Sequence, residues 1–158
     1  MELAKITSFQ VDHTKLDRGM YISRIDGDII TYDIRMKKPN AEPVLENAAL
    51  HTIEHLFATY VRSSEVSESV IYFGPMGCRT GFYFITRGLS HKAVIELTSK
   101  TFKFIADFEG LVPGMALAQC GNYLDHDLVG AKAEAENFLA IIESVTEESL
   151  YLFSTNKQ

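Results

Sequence analysis

The sequence is short of several things, and each shortage closes off a class of protein. No run approaches the roughly 18 consecutive apolar residues of a membrane-spanning helix, so a membrane is not an expected partner. Positive charge is in deficit: 15 Lys and Arg stand against 21 Asp and Glu, a net charge of −6. That balance argues against nucleic acid or an anionic membrane as the main partner. Cysteine occurs only twice, and the first residues, Met1 to Thr7, lack the apolar core of an export signal. The two thiols therefore read as reduced, and the expected address is the cytoplasm. Internal repeats, low-complexity tracts and linkers are also missing, so all of 1–158 is expected to form one domain. With 46% apolar and 23% charged residues, such a chain can bury a core without staples.

What is present alternates between strand and helix patterns. Tyr21 to Ile25 and Ile29 to Arg35 are rich in β-branched and aromatic residues, and Asp26-Gly27-Asp28 between them has turn chemistry. This predicts a hairpin. Ser69 to Phe73 and Phe82 to Arg87 predict two more strands. They are joined by a connector with Gly74, Gly77 and Gly81, which suggests positive φ, close backbone approach or a tight hairpin. Nothing from Val44 to Arg62 breaks a helix, and Pro43 suits its first turn. Ser90 can cap a helix to about Asp107, with Val94, Ile95, Thr98, Phe102 and Ile105 inward. A last helical region runs from near Asp127 towards Phe153, with a break near Thr146. The mixed order and hairpin connections predict an α+β fold, an antiparallel sheet of about four strands packed against helices.

The helix from Val44 holds two of the chain's five histidines, in His51-Thr52-Ile53-Glu54-His55. At about 100° per residue, His51 and His55 lie roughly 40° apart and one turn apart along the axis. Glu54 falls about 60° to the other side of His51, so the three side chains share a face. Two imidazoles so placed can grip one divalent metal while the carboxylate reaches a group bound to it. A buried helix with two hydrogen-bonded histidines is the plainer alternative, a default for a lone histidine but not for two in an H-x-x-E-H frame.

The metal needs a third ligand. Cys78 and Cys120 are the only thiols, each beside glycine in a loop-like stretch. One thiolate with two imidazoles leaves a fourth position open, the pattern of a catalytic site. Both together would close a structural site, but they lie 42 positions apart (120 − 78), unlike the short spacing of a zinc finger. Buried, inert thiols are a third option. Chemistry alone leaves open which cysteine is the ligand.

Three motifs taken together carry a resemblance. His51-Thr52-Ile53-Glu54-His55-Leu56, Pro75-Met76-Gly77-Cys78-Arg79-Thr80-Gly81-Phe82-Tyr83 and Gln119-Cys120-Gly121-Asn122-Tyr123-Leu124-Asp125-His126 follow in that order. The chain resembles the S-ribosylhomocysteine lyases of the LuxS type, makers of the autoinducer-2 precursor. Ser8-Phe9, Asp12-His13 and Asp33-Ile34-Arg35 extend the likeness almost end to end. It departs from the family at Ile71-Tyr72-Phe73-Gly74, where an Ile-Asp-Ile-Ser-like lead is usual.

The resemblance implies cleavage of S-ribosyl-L-homocysteine to L-homocysteine and 4,5-dihydroxy-2,3-pentanedione. By position, His51, His55 and Cys120 would be metal ligands, Glu54 and Cys78 acid/base groups, and Ser8, His13 and Arg35 substrate contacts. The implied metal is iron(II), with zinc or cobalt as replacements, and the implied assembly is a homodimer with active sites at the interface. His126 is read as a structural histidine. The chemistry is coherent with this allocation. The ring-opened sugar has its carbonyl at C1, too far from the sulfur on C5 for β-elimination. The carbonyl must migrate through enediolates, which calls for a Lewis acid and for groups that swap protons between neighbouring carbons. Two rival classes remain at this stage. One is a zinc peptidase with the same histidine motif and Glu134 as third ligand; the other is a non-catalytic, metal-stabilised binding module.

Overall fold

The structure is a computed structural model and describes residues 1–154. Four strands, β1 (Gly19–Asp26), β2 (Ile29–Arg35), β3 (Val70–Pro75) and β4 (Gly81–Arg87), form one sheet in the order β1-β2-β4-β3. Every neighbouring pair is antiparallel. Three helices, α1 (Asn47–Arg62), α2 (His91–Asp107) and α3 (Leu128–Glu143), complete an α+β fold. Gly27 takes φ +65° in the turn between β1 and β2, a conformation that suits glycine.

Alternation along the strands sends Met20, Ile22, Tyr32, Ile34, Phe73, Phe82 and Phe84 to the face that α1 and its neighbours cover. Phe57 of α1 stacks on Phe73 at 3.7 Å and meets Phe102 of α2 edge-on, and Phe102 meets Phe138 of α3 in the same way. Aromatic contact thus ties all three helices to the sheet. The opposite face carries Tyr21, Asp33 and Tyr83 side by side in one row of the ladder. There the short 3₁₀ turn Thr7–Phe9 lies against β1, whereas the 3₁₀ turn Ser149–Tyr151 contacts β1 and sends Leu150 into the helix-side core.

Two differences from the sequence reading have local causes. Helix α1 begins at Asn47 rather than Val44. The amide of buried Leu45 donates to the Arg79 carbonyl at 2.9 Å, holding the chain out of the helix and tying it to the β3–β4 loop. Helix α3 ends at Glu143, and Thr146 and Ser149 then exchange side-chain and backbone hydrogen bonds ahead of a separate 3₁₀ turn. Helix α2 follows its expected course: the Ser90 hydroxyl accepts from the Ala93 amide, though Ile95 is only half-buried.

None of the three connector glycines takes a positive φ, and close backbone approach is the requirement at Gly81 alone, since a Cβ at Gly74 would meet only the Tyr72 side chain and one at Gly77 nothing; the left-handed residue in that loop is Arg79, at φ 59°. A Cβ at Gly81 would stand 2.0 Å from the Ile34 carbonyl oxygen. Backbone cannot swing aside as a side chain can, so Gly81→Ala is expected to cost about 3 kcal/mol, the upper end for an overpacked site. Chemical denaturation would read this as a lowered midpoint at unchanged slope.

Candidate metal centre

Helix α1 buries Ala49, Leu50, Ile53, Leu56, Phe57 and Val61, which turns His51, Glu54 and His55 onto the half-buried flank of the same helix. There they meet the loop that precedes α3. The Cys120 Sγ lies 3.4 Å from His51 Nε2 and 4.0 Å from His55 Nε2. A third imidazole joins them: His126 Nε2 is 3.8 Å from the same sulfur. The four donor atoms all lie within 4.8 Å of one another. Cys78 is not among them, so of the two thiols it is Cys120 that stands with the imidazoles. Glu134 is elsewhere, paired with Lys37 at 2.7 Å.

The sequence reading gave His126 only a structural place; the structure sets its ring beside the other two imidazoles. The available signal was its position six residues after Cys120 in one turn-rich loop, but loop geometry is not legible from spacing.

The outward nitrogens fix which way each ring presents its lone pair. His51 Nδ1 lies 2.8 Å from the Asp125 carbonyl, and His55 Nδ1 lies 2.8 Å from the Pro113 carbonyl. A carbonyl can only accept, so each Nδ1 carries a proton, and in the neutral ring it is Nε2 that holds the lone pair. His126 Nδ1 faces the Thr52 hydroxyl at 3.1 Å. That hydroxyl donates to the Ala48 carbonyl and accepts from the Asp127 amide, both at 3.0 Å. Its one proton is therefore used, and His126 Nδ1 must donate to it. Burial, reinforced by His51 and His55, holds His126 below the ordinary histidine range and favours the neutral ring.

With the rings neutral, three nitrogen lone pairs and a sulfur thus converge, and the sulfur alone receives a backbone hydrogen, from the Asn122 amide at 3.5 Å. Such a cluster of acceptors is unfavourable by itself and is relieved by a cation. Ligand bonds of about 2.0–2.3 Å put neighbouring donors of a tetrahedral ion roughly 3.3–3.8 Å apart. The sulfur-to-nitrogen distances of 3.4 to 4.0 Å come near that requirement, and carbonyl-oriented imidazoles are the usual supports of such a site. Glu54 stands on the same flank, half-buried, with no hydrogen bond or ion pair to any described residue.

A second cluster occupies the other face of the sheet. Ser8, His13, Tyr21, Asp33, Arg35 and Tyr83 line one narrow cleft there. Arg35 is 3% exposed, its guanidinium forked onto Asp33 through Nε and Nη2. Its Nη1 donates to the Thr80 hydroxyl at 2.6 Å and approaches the Cys78 Sγ at 3.9 Å. Cys78 is exposed and lies 3.1 Å from the Thr80 hydroxyl. Burial pushes this thiol up, but hydrogen bonds from Thr80 and the Arg35 charge outweigh it and bring it below the ordinary thiol value. The sequence did not mark Thr80 as a partner of both Arg35 and Cys78. A wider hollow of about 560 Å³, beside Tyr60, Lys100, Phe104 and Phe108, is lined by none of these residues.

Comparison with known proteins gives the chain a family. The family model described as S-ribosylhomocysteinase (LuxS) matches residues 6–149. An S-ribosylhomocysteine lyase of Phocaeicola vulgatus is 51% identical, over 92% of this chain and 95% of its own length. The lyase of Borrelia garinii subsp. bavariensis is also 51% identical, over 94% of this chain and 98% of its own. The lyase of Clostridium acetobutylicum is 47% identical over the same shares. With most of its length matched and half its residues shared, the chain belongs to the S-ribosylhomocysteinase (LuxS) family.

Proposed function

We propose that the protein is a carbon–sulfur lyase that cleaves S-ribosyl-L-homocysteine to L-homocysteine and 4,5-dihydroxy-2,3-pentanedione. The observation that carries this is the set of imidazole nitrogens around Cys120, with Glu54 uncommitted on the same helix flank. His51, His55 and Cys120 hold a divalent metal, which when bound supplies Lewis acidity to carbonyl and hydroxyl oxygens of a sugar. Iron(II) is the inferred ion, and the donor set also suits zinc or cobalt.

The chain's own groups move the protons. Cys78, its thiol brought below the ordinary value, takes a proton from one sugar carbon and returns it to the next. Glu54 serves the later transfers and the elimination that expels the thiolate of homocysteine. Ser8 and His13 contact substrate from the cleft. Arg35 was expected to contact substrate, and its Nε and Nη2 are forked onto Asp33. In this reading it is a positioning residue for Cys78.

Within one chain no hydrogen bond joins Cys78 to the three imidazoles. A homodimer whose active sites lie at the interface would unite the two clusters, and the helix-free face of the sheet is where a second copy would sit. Phe9 on the N-terminal arm is 67% exposed and Tyr72 on β3 is 49% exposed, apolar area such an interface would cover. No helix among the described residues is long and apolar enough to cross a membrane. The cytoplasm is the proposed compartment, and quorum-sensing autoinducer synthesis the proposed use of the product.

Free thiol tests the reading. Anaerobically prepared, metal-assayed protein given S-ribosylhomocysteine should release homocysteine, seen with a thiol reagent, and Glu54→Gln should release about 10²- to 10⁴-fold less. A wild-type protein that keeps its metal and yields no thiol removes the assignment.

A further inference from the structure

We infer that Phe153, carried around the edge of the sheet by the turn after α3, is a specificity-determining wall of the substrate cleft. It stops the amino-acid arm of the thioether, and His91 is the positioning residue that holds it in place. This rests on the lyase reading and adds to it a residue that selects substrate length.

The path of the chain puts Phe153 there. Strand β1 is an edge strand, paired with β2 alone. On its helix side Leu150 is fully buried in the core. Three residues later, half-buried Phe153 lies on the other face, its ring edge-on to Tyr21 with centroids 5.0 Å apart. It lines the same cleft as Ser8, His13 and Arg35. Tyr21 is itself held, its hydroxyl donating to the Asp17 and Arg18 carbonyls at 3.1 and 3.2 Å.

The sheet order decides which part of the substrate meets this ring. Tyr21, Asp33 and Tyr83 form one row across β1, β2 and β4. Cys78 stands by the β4 end, beside Thr80 on the loop that joins β3 to β4. Phe153 stands at the β1 end, two inter-strand gaps or roughly 10 Å away. The sugar carbons react at Cys78, so the arm that points to Phe153 is the homocysteine. A phenyl ring has no hydrogen-bonding group, so its contribution is contact and a limit on length; Ser8 and His13 supply the polar contacts.

A stop works only if it resists being pushed. The cleft encloses about 20 Å³, room for a water and little more, so whatever enters presses on its walls. Leu150 anchors the turn from inside. The Tyr151 hydroxyl meets His91 Nε2 at 2.8 Å, and His91 Nδ1 meets the hydroxyl of fully buried Tyr32 at 2.8 Å. The Leu152 amide donates to the Ser149 carbonyl and the Ser154 amide to the Tyr151 carbonyl, which closes the backbone on both sides of Phe153. The lyase chemistry assigns His91 no task, and bracing this turn from the sheet gives it one.

Substrate length tests the inference. Thiol release would be followed from S-ribosylhomocysteine and from its homologue with one more methylene in the amino-acid arm. Wild type should favour the natural substrate by about 10- to 200-fold in kcat/KM, the worth of one methylene against a fitted wall. Phe153→Ala should shrink that ratio about tenfold or more, and its loss on the natural substrate should appear in KM rather than kcat. Phe153→Leu should keep most of the discrimination. Tyr151→Phe, which cuts the bond to His91 and keeps the ring, should shrink the ratio by less than Phe153→Ala does. The ratio does not depend on how much of a variant is folded, so poor folding cannot imitate the result. A wild type indifferent to the extra methylene, or a Phe153→Ala ratio equal to the wild type's, overturns the inference and leaves the lyase reading standing. A wild type that releases thiol from neither compound removes the lyase reading itself, and this inference with it.

Discussion

Replacing Cys78 with alanine is expected to lower thiol release by about 10²- to 10⁴-fold, the usual worth of a positioned acid or base. Metal content and melting temperature should stay near wild type. Cys78 is exposed and lies outside the cluster around Cys120, so the lost sulfur leaves no cavity and no missing ligand. What disappears is a thiol whose charged form is favoured by Thr80 and by Arg35 against the opposing effect of burial. Because its titration lies below the ordinary thiol value, the thiolate persists to lower pH. The alkylation rate of metal-loaded protein should therefore decline only as pH drops through that lowered value. Thr80→Ala removes the hydroxyl hydrogen bond and should move the midpoint upward. A Cys78→Ala protein with wild-type turnover would end the role given to this thiol.

Arg35→Met carries the largest expected effect on stability. It leaves the buried Asp33 carboxylate without its fork, and breaking one side of a buried pair costs about 3–5 kcal/mol. The loss should depend on pH in a defined direction. Burial already lifts the Asp33 carboxyl above its ordinary range, with Arg35 pulling it back. Without Arg35 it rises further, so the folded state binds a proton more tightly than the unfolded chain does. Stability then falls as pH climbs from the ordinary carboxylate value to the raised folded one, and stays low above it. The variant should be most impaired near neutrality and recover towards acid. Denaturant midpoints at several pH values check this, and a deficit independent of pH would show that the methionine disturbs packing alone. Alkylation of Cys78 in the same variant should shift to higher pH, since the guanidinium beside the sulfur is gone.

Much of the fold is legible along the chain because its causes are local. The β1–β2 turn is written in Asp26-Gly27-Asp28, the start of α2 in Ser90, and the antiparallel sheet in short alternating runs joined by turns. The helix spacing of His51, Glu54 and His55 likewise places three groups on one flank without any tertiary information. The start of α1 is not legible in the same way. Val44 and Leu45 are compatible with a helix, and only the bond from Leu45 to the Arg79 carbonyl, 34 residues along, takes them out of it.

The site divides along the same line. Sequence by itself determined that two imidazoles and a carboxylate share a helix face, that two thiols were available to join them, and which family the motifs resemble. Only the tertiary structure decided which thiol joins, that His126 joins with it, that Thr52 orients that ring, and that Arg35 is forked onto Asp33 beside Cys78. Helical periodicity is a property of bonds between near neighbours, so it can be read from the order of residues. A ligand brought by a loop depends on where that loop comes to rest. Here the resting place is set by bonds spanning 75 positions or more, such as the Asp127 amide to the Ala48 carbonyl and the Thr52 hydroxyl.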